Sequence, residues 1–244
     1  PNNNHSVTVN YVDAAPVVVS STLLNATPSN RTTVFFTVTF SEAVTGVNVA
    51  DFNLTTTGTL SGASVTSVSG TGSTRTVGVG TGTGSGTLRL NVGDDDSILD
   101  SVSNRLGGTA AGNGNFNAGQ TYTIDRTAPS VASSVRANAN PTNRTTVFFT
   151  VTFSESVVGV NAADFALTNT GVSGAAITSV TGTGATRTVG VNTGTGDGTI
   201  RLDVVDDDSI QDSLGNRLGG TGAGNGDFTT GQIYDVDKTG PSVV

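Results

Sequence analysis

The chain has 244 residues, a formal net charge of -8, 33 Gly and no Cys, Met or Trp, and only 12% of its residues are charged. This acidic balance offers no basic patch to neutralise phosphates, which argues against nucleic-acid binding. The lack of Cys excludes disulfides and thiolate metal sites, and no run approaches the about 20 apolar residues of a membrane helix. The abundance of Thr, Ser, Asn and Gly favours strands joined by turns.

Two near-identical repeats fill most of the chain. The string NRTTVFFTVTFSE occupies Asn30–Glu42 and recurs unchanged at Asn143–Glu155. DDDSILDSVSNRLGG, which starts at Asp94, is matched by DDDSIQDSLGNRLGG, which starts at Asp206, an offset of 112 residues. A repeat of this length is a whole domain rather than a solenoid unit. We therefore predict one domain over residues 16–128 and a second over residues 129–244.

The first 15 residues resemble the end of a repeat. SVTVNYVDAAP is similar to QTYTIDRTAP, and aligning Pro16 with Pro129 places Val9 and Tyr11 opposite Tyr122 and Ile124. One interpretation is the last strand and junction of a preceding repeat, in a chain that is an excerpt or a processed product. The other is a strand donated to a neighbouring subunit, which would build a filament by β-strand addition.

Within each repeat, apolar residues alternate with polar ones, which is typical of strands with one buried face. Short Gly, Ser and Thr turns separate the alternating segments. The positions expected to face the core of the first repeat are Val34, Phe36, Val38, Phe40, Phe52, Leu54, Val77, Val79, Leu88, Leu90, Val92, Tyr122 and Ile124. About seven strands per repeat predict an all-β fold, two immunoglobulin-like sandwiches.

Two aromatic residues break this pattern, and three prolines mark the repeat boundaries. Phe35 and Phe148 should point away from the core, either packing under a neighbouring loop or contacting a partner chain.

Pro16, Pro129 and Pro241 predict short, stiff junctions, so we expect the domains to stack end to end as a rod.

Many of the 19 acidic residues occupy equivalent positions in the two repeats, including Asp100 and Asp212. A count of strand directions predicts that several of them meet the junction Asp residues at one pole of each domain. Like charges that converge repel one another unless a cation lies among them. Calcium suits such a site because it takes 6 to 8 oxygen ligands and needs neither His nor Cys. The predicted metal ligands are Asp13, Glu42, Asp51, Asp94, Asp95, Asp96, Asp125, Glu155, Asp164, Asp206, Asp207, Asp208 and Asp237. Alternatively, these residues only form turns and add solubilising charge.

Three motifs in fixed order carry a family resemblance: VTFSEAVTGVNVADFNL, DDDSILDSVSNRLGG and DRTAPSV. Together they resemble the bacterial Ig-like, or cadherin-like, tandem repeats of large cell-surface and adhesin-like proteins. The resemblance implies an extracellular location and calcium at domain junctions that rigidifies the rod. It carries the metal role onto Glu42, Asp51, Asp94, Asp96 and Asp13 and their counterparts, although Asp13 is displaced by one position relative to Pro16.

The composition does not favour catalysis. The single His, His5, lies in the N-terminal tail, so the chain lacks the residues of the usual nucleophilic sites. Paired carboxylates could cleave a glycoside, but few aromatic residues are present to hold a sugar. We therefore expect no enzyme, and a calcium-rigidified structural or adhesive segment whose partners are adjacent repeats or identical subunits. The alternatives are a module that binds a surface glycan or a protein, and the filament subunit described above.

Overall fold

The computed structural model describes residues 12–243. The predicted strand around Val9 and Tyr11 lies outside the described residues. The chain divides into two compact units, Pro1–Asp125 and Arg126–Val244. Within the described part of the chain, no helix has the length and apolar character needed to cross a bilayer.

The first unit consists of strands joined by turns. Its strands are β1 (Val18–Leu23), β2 (Thr33–Phe40), β3 (Phe52–Thr56), β4 (Ser64–Ser69), β5 (Thr74–Gly80), β6 (Gly86–Val92) and β7 (Thr121–Ile124). They form a four-stranded sheet in the order β1-β2-β5-β4 and a three-stranded sheet in the order β3-β6-β7. Every pairing is antiparallel. A short 3-10 turn, Val49–Asp51, precedes β3.

The second unit repeats this order. Its strands are β8 (Val131–Arg136), β9 (Thr146–Phe153), β10 (Phe165–Thr170), β11 (Ala176–Thr181), β12 (Thr186–Asn192), β13 (Gly198–Val204) and β14 (Ile233–Val236). The sheets are ordered β11-β12-β9-β8 and β10-β13-β14, and a 3-10 turn, Ala162–Asp164, precedes β10. Equal sequence thus gives equal strand pairing in both units, and the predicted all-β class is confirmed.

The core of the first unit lies between its two sheets. Val34, Phe36 and Val38 of β2 are fully buried, and so are Leu88 and Leu90 of β6 on the other sheet. The alternation in VFFTVTF therefore aims one face of β2 at the core, as predicted from the sequence. Each such side chain contributes about 1.5–3 kcal/mol when it is removed from water. Two antiparallel sheets packed through their apolar faces make a β-sandwich-like unit.

Tyr122 joins the last strand to the connection between β1 and β2. Its ring is fully buried and packs edge-on against Phe36, with the ring centroids 5.0 Å apart. Its hydroxyl donates to the carbonyl of Phe35 at 2.7 Å and accepts from the backbone N–H of Asn25 at 2.8 Å. One side chain therefore satisfies backbone groups on two other segments.

Phe35 and Phe148 point away from the core. Phe35 is half-buried, and Phe148 is 38% exposed. In β5, opposite Phe35, the chain has Gly78, where an added Cβ would lie 3.1 Å from Cε1 of the Phe35 ring. The ring therefore lies over the glycine of the neighbouring strand, and Gly190 plays the same part beside Phe148.

Candidate metal site

The segment that leads into β1 is fastened to the end of β2. The N–H of Val17 donates to the hydroxyl of Ser41 at 3.0 Å, and the N–H of Ser41 donates back to the carbonyl of Val17 at 2.8 Å. The carbonyl of the buried Pro16 accepts from Gly107 at 2.8 Å. These bonds hold the residues just before Pro16 beside the loop that follows β2.

Three carboxylates meet at this place. Asp13 precedes β1, Glu42 follows β2, and Asp100 lies in the long connection between β6 and β7. One carboxylate oxygen from each lies within 4.8 Å of the other two. Asp13 is exposed, Glu42 is half-buried and Asp100 is buried. We refer to these three residues as the acidic triad.

Backbone pairing brings Glu42 and Asp100 together. The N–H of Thr45 donates to the carbonyl of Leu99 at 2.7 Å, and the N–H of Leu99 donates to the carbonyl of Thr45 at 3.1 Å. This bridge aligns the segment after β2 with the residue immediately before Asp100. The position of the triad thus follows from strand order and from one short bridge.

The loop after Asp100 holds its carboxylate in place. Oδ1 accepts from the N–H of Val102 at 2.9 Å and of Asn104 at 2.8 Å, and Oδ2 accepts from the Asn104 side chain at 2.8 Å. Desolvation raises the pKa of Asp100, but the hydrogen bonds from Asn104 and Val102 outweigh it, so the pKa lies below its usual value. The Asn104 amide also donates to the carbonyl of Asp13 at 3.3 Å.

The pKa of Glu42 shifts in the opposite direction, upward. Desolvation first, and then the negative charges of Asp13 and Asp100, raise the pKa of Glu42 above its usual value. Adjacent carboxylates repel when all are ionised, and either a proton or a cation relieves that repulsion. The triad offers only oxygen ligands, which are the ligands that hard cations such as calcium prefer.

Asp51, also predicted as a ligand, lies apart from the triad. It is 1% exposed and closes the 3-10 turn, accepting from the N–H of Asn48 at 2.6 Å and from the hydroxyl of Ser97 at 2.9 Å. Desolvation raises its pKa, partly opposed by those hydrogen bonds. This carboxylate links the start of β3 to the loop that follows β6.

The three consecutive Asp residues after β6 bind their own loop. Asp94 accepts from the N–H groups of Gly112 at 3.1 Å and Gly114 at 3.0 Å. Asp95 accepts from the N–H of Ser97 at 3.0 Å, and hydrogen bonding to Ser97 lowers its pKa. Asp96 pairs with Arg105 at 2.9 Å. Within the described residues of the first unit, 12–125, the structure groups none of these three with the triad.

The remaining predicted ligands belong to the second repeat or to the ends of the units. Asp164 and Asp206 to Asp208 repeat most of the hydrogen bonds of their counterparts, including the pair of Asp208 with Arg217 at 3.0 Å. They differ in that Asp208 also accepts from the N–H of Gly222 at 3.1 Å. In sequence, Asp125, Glu155 and Asp212 correspond to the triad. Asp237 accepts from the N–H of Thr239 at 3.0 Å near the end of the second unit.

Asp100 and Asp212 were not among the predicted ligands. The available signal was their repetition at equivalent positions, each followed four residues later by Asn. An Asp that caps a tight loop and also faces a second carboxylate cannot be told from an ordinary turn former by its spacing alone.

No protein-family model matches the chain, and no significant match is found among curated proteins. Among solved structures, the chain is similar to the N-terminal part of the bacterial S-layer protein SbsC, with 18% sequence identity and a TM-score of 0.30. The similarity covers 92% of this chain and 44% of the SbsC chain. This chain therefore spans less than half the length of that S-layer chain. At this TM-score the likeness does not define a shared fold.

Proposed function

We propose that the chain is a structural segment of a bacterial cell-surface protein, in which calcium binds the acidic triad and stiffens the segment leading into the first unit. The observation that carries this proposal is the meeting of Asp13, Glu42 and Asp100 on three separate segments, with oxygens within 4.8 Å. The chain is then a non-catalytic spacer or stalk, extracellular, with adjacent repeats or identical subunits as its partners.

The strand order supports the immunoglobulin-like part of this proposal. Seven-stranded immunoglobulin domains pair strands A-B-E-D in one sheet and C-F-G in the other. Numbered along the chain, these are the first, second, fifth and fourth strands, and the third, sixth and seventh. Both units have this order. The order agrees with the family resemblance seen in the three sequence motifs, and fold alone does not assign a function.

The triad geometry suits calcium. Calcium–oxygen distances are about 2.3–2.6 Å, so two oxygens on opposite sides of one ion are about 4.6–5.2 Å apart. Oxygens within 4.8 Å of one another can therefore share an ion. The bound ion would supply the positive charge that three converging carboxylates require. Carboxylates that bind bidentately, together with water, would complete the six to eight ligands.

Calcium bound here would act on the junction. Asp13 lies on the segment before Pro16, whereas Glu42 and Asp100 belong to the body of the first unit. An ion that joins them would add a strong crosslink to the hydrogen bonds of Val17 and Ser41. The leading segment would then lose freedom relative to the unit, which is the property a stiff spacer needs.

The near-identity of the repeats favours a spacer over a module with a dedicated ligand. The same loop bonds recur in both units, for example Asp51 with Ser97 and Asp164 with Ser209. Receptor-binding surfaces more often diverge between copies. A role in binding a surface glycan or a protein remains the alternative function.

The proposal is tested by titrating the full chain with calcium, after treatment with chelator, in a calorimeter and in a thermal melt. A ligand that binds only the folded state stabilises it by about 2.7 kcal/mol at a hundredfold excess over Kd. Glu42→Gln and Asp100→Asn should each reduce the calcium bound by one ion per chain and reduce the thermal shift.

Asp95→Asn is the matched control, since Asp95 also lies in an acidic loop but bonds to Ser97. It should leave calcium binding unchanged. No thermal shift and no bound metal on elemental analysis would exclude the calcium role. Equal losses of calcium binding in Asp95→Asn and Asp100→Asn would place the ion beside the run Asp94 to Asp96 instead of at the acidic triad.

A further inference from the structure

Acidic residues are distributed unevenly between the sheets. None of the 19 acidic residues of the chain lies in a described strand of either four-stranded sheet, whereas Asp203 and Asp235 lie in the three-stranded sheet of the second unit. The single charged residue in the four strands of the first unit is Arg75, which is 6% exposed and bonds to backbone carbonyls. The outer face of this sheet is therefore uncharged, in a chain of net charge -8.

Hydroxyl groups cover this uncharged surface. Its central row crosses all four strands in register and consists of Thr22, Thr37, Thr76 and Ser69. Phe35 lies beside the row, over Gly78. We call this surface, and its counterpart in the second unit, the neutral face. The counterpart has Thr150 and Thr188 at the centre of its row and the 38% exposed Phe148 beside it.

The edges of the same sheet are poorly suited to strand addition. The pairing of β1 is bulged between Val18 and Ser20, and that of β4 is bulged between Val65 and Ser67. Gln120 covers the outer edge of β1, since its N–H donates to Ser21 at 2.8 Å and its side chain accepts from Leu23 at 2.9 Å. Bulges and covered edges prevent a further strand from pairing. A partner of this sheet would therefore contact its face.

We propose that the neutral face is a docking surface for a second copy of this chain. Two copies that each carry a charge of -8 repel one another wherever acidic residues approach. The neutral face brings no acidic residue of its strands into the contact. Thr methyl groups and an exposed Phe ring provide the apolar surface, and aromatic residues, Phe included, are enriched in protein–protein interfaces.

The area of the face sets the strength of this contact. Four strands about 4.8 Å apart and six residues long at about 3.3 Å per residue cover about 400 Å². Two stacked faces bury about 800 Å², less than the about 1,200–2,000 Å² of stable interfaces. A single pair of faces therefore associates weakly. Each chain has two such faces, one in each unit.

The test is sedimentation velocity of the full chain from micromolar to millimolar concentration, with chelator present throughout. Wild type should self-associate, and added salt should strengthen the association by screening the repulsion between copies. Thr76→Asp combined with Thr188→Asp should raise the dissociation constant by roughly tenfold or more, because like charges would face each other across the contact.

The control combines Thr123→Asp with Ser85→Asp. It adds the same charge away from the neutral face, at positions where the second repeat already has Asp235 and Asp197. It should associate more strongly than the Thr76 and Thr188 variant, and nearly as well as wild type. Circular dichroism checks whether the variant with Thr76→Asp and Thr188→Asp is folded. If it is unfolded, Thr76→Lys with Thr188→Lys should give the same loss of self-association, and it should fold because the apolar stem of Lys can lie on the sheet.

Three results would overturn the proposal. The wild-type chain could remain monomeric at all concentrations, which would leave the face for a partner of another kind. The control could weaken association as much as the Thr76 and Thr188 variant. Association could also be absent in chelator and appear only with calcium, which would support the metal site and not the neutral face.

Discussion

Replacing Tyr122 with Phe removes one hydroxyl group and keeps the ring. The ring is fully buried against Phe36, so the apolar packing should be unchanged. The hydroxyl serves three backbone groups, donating to the carbonyl of Phe35 and accepting from the N–H groups of Leu24 at 3.1 Å and Asn25 at 2.8 Å. The substitution therefore isolates the energetic role of the hydroxyl.

The expected cost follows from what each partner keeps. The N–H of Leu24 also donates to the carbonyl of Phe35 at 2.9 Å, so that pair remains bonded. The N–H of Asn25 loses its bond to the hydroxyl. A buried donor left without a partner costs about 1–3 kcal/mol. Because Asn25 is only half-buried, we expect a loss of about 1–2 kcal/mol. At about 4–8 °C per kcal/mol, the melting temperature should fall by about 10 °C.

The repeat supplies a matched variant. In the second unit, Tyr234 donates to the carbonyl of Phe148 at 2.8 Å and accepts from the N–H of Asn138 at 2.8 Å. Tyr234→Phe should therefore cost the same. The chain has 3 Tyr, at positions 11, 122 and 234, and no Trp, so Tyr fluorescence in Tyr234→Phe comes only from the first unit, whereas Tyr122→Phe keeps one Tyr in each unit. Urea titrations followed by fluorescence and by far-ultraviolet circular dichroism would measure both losses.

The reasoning would be refuted by a loss below about 0.5 kcal/mol in both variants, the lower limit for an ordinary hydrogen bond. A large loss in one variant and none in the other would also refute it, since both hydroxyls donate to a Phe carbonyl and accept from an Asn N–H. The sum of the two losses should match the double variant within about 0.5 kcal/mol, because the sites lie in different units and share no partners.

Two further predictions concern charged groups. Arg75 donates to the carbonyls of Val44 at 2.6 Å, Thr74 at 2.9 Å and Gly72 at 3.0 Å. The carbonyl of Gly72 also accepts from the N–H of Val44, so Arg75→Met removes the Arg donor chiefly from Val44 and Thr74 and should lower the free energy of unfolding by about 2 kcal/mol. Arg89→Met on the outer face of β6 should cost much less by the same urea titration. The raised pKa of Glu42 stabilises the calcium-free fold below pH 4.5, the usual value, and this contribution disappears as pH rises through the raised pKa. At pH 7 protons no longer compete with calcium for the Glu42 carboxylate, so the rise in melting temperature produced by calcium should be larger at pH 7 than at pH 4.5. A rise that does not depend on pH would contradict the assignment of Glu42 as a calcium ligand.

The strands could be predicted because their signal is local. In VFFTVTF, a period of two decides which side chains face the core, and no other part of the chain is needed to see it. The positions of Val34, Phe36 and Val38 in the core follow directly. The sheet order is less local and was not predicted; only an immunoglobulin-like sandwich was, from the number of strands per repeat and from the family resemblance.

The site could be predicted only in part. Glu42 and Asp13 were placed at one pole by counting strand directions, and the structure does bring them together. Asp100 was not chosen because its position depends on the bridge between Thr45 and Leu99, which the sequence does not display. The run of three Asp residues predicts a metal site because of its charge density, although its main contacts are with its own loop.

The acidic residues of the first unit therefore differ in how their oxygen lone pairs are used. A carboxylate has about four acceptor positions, and Asp94 uses three of them on the N–H groups of Asp96, Gly112 and Gly114. Such a residue has few acceptor positions left for a cation. Within residues 12–243, no N–H group or cation bonds to the carboxylates of Asp13 and Glu42. Asp100 uses as many acceptor positions as Asp94 does, so the least compensated negative charge of the triad is that of Asp13 and Glu42. A cation has most to offer beside these two carboxylates, and this is why the triad is the place to look for calcium.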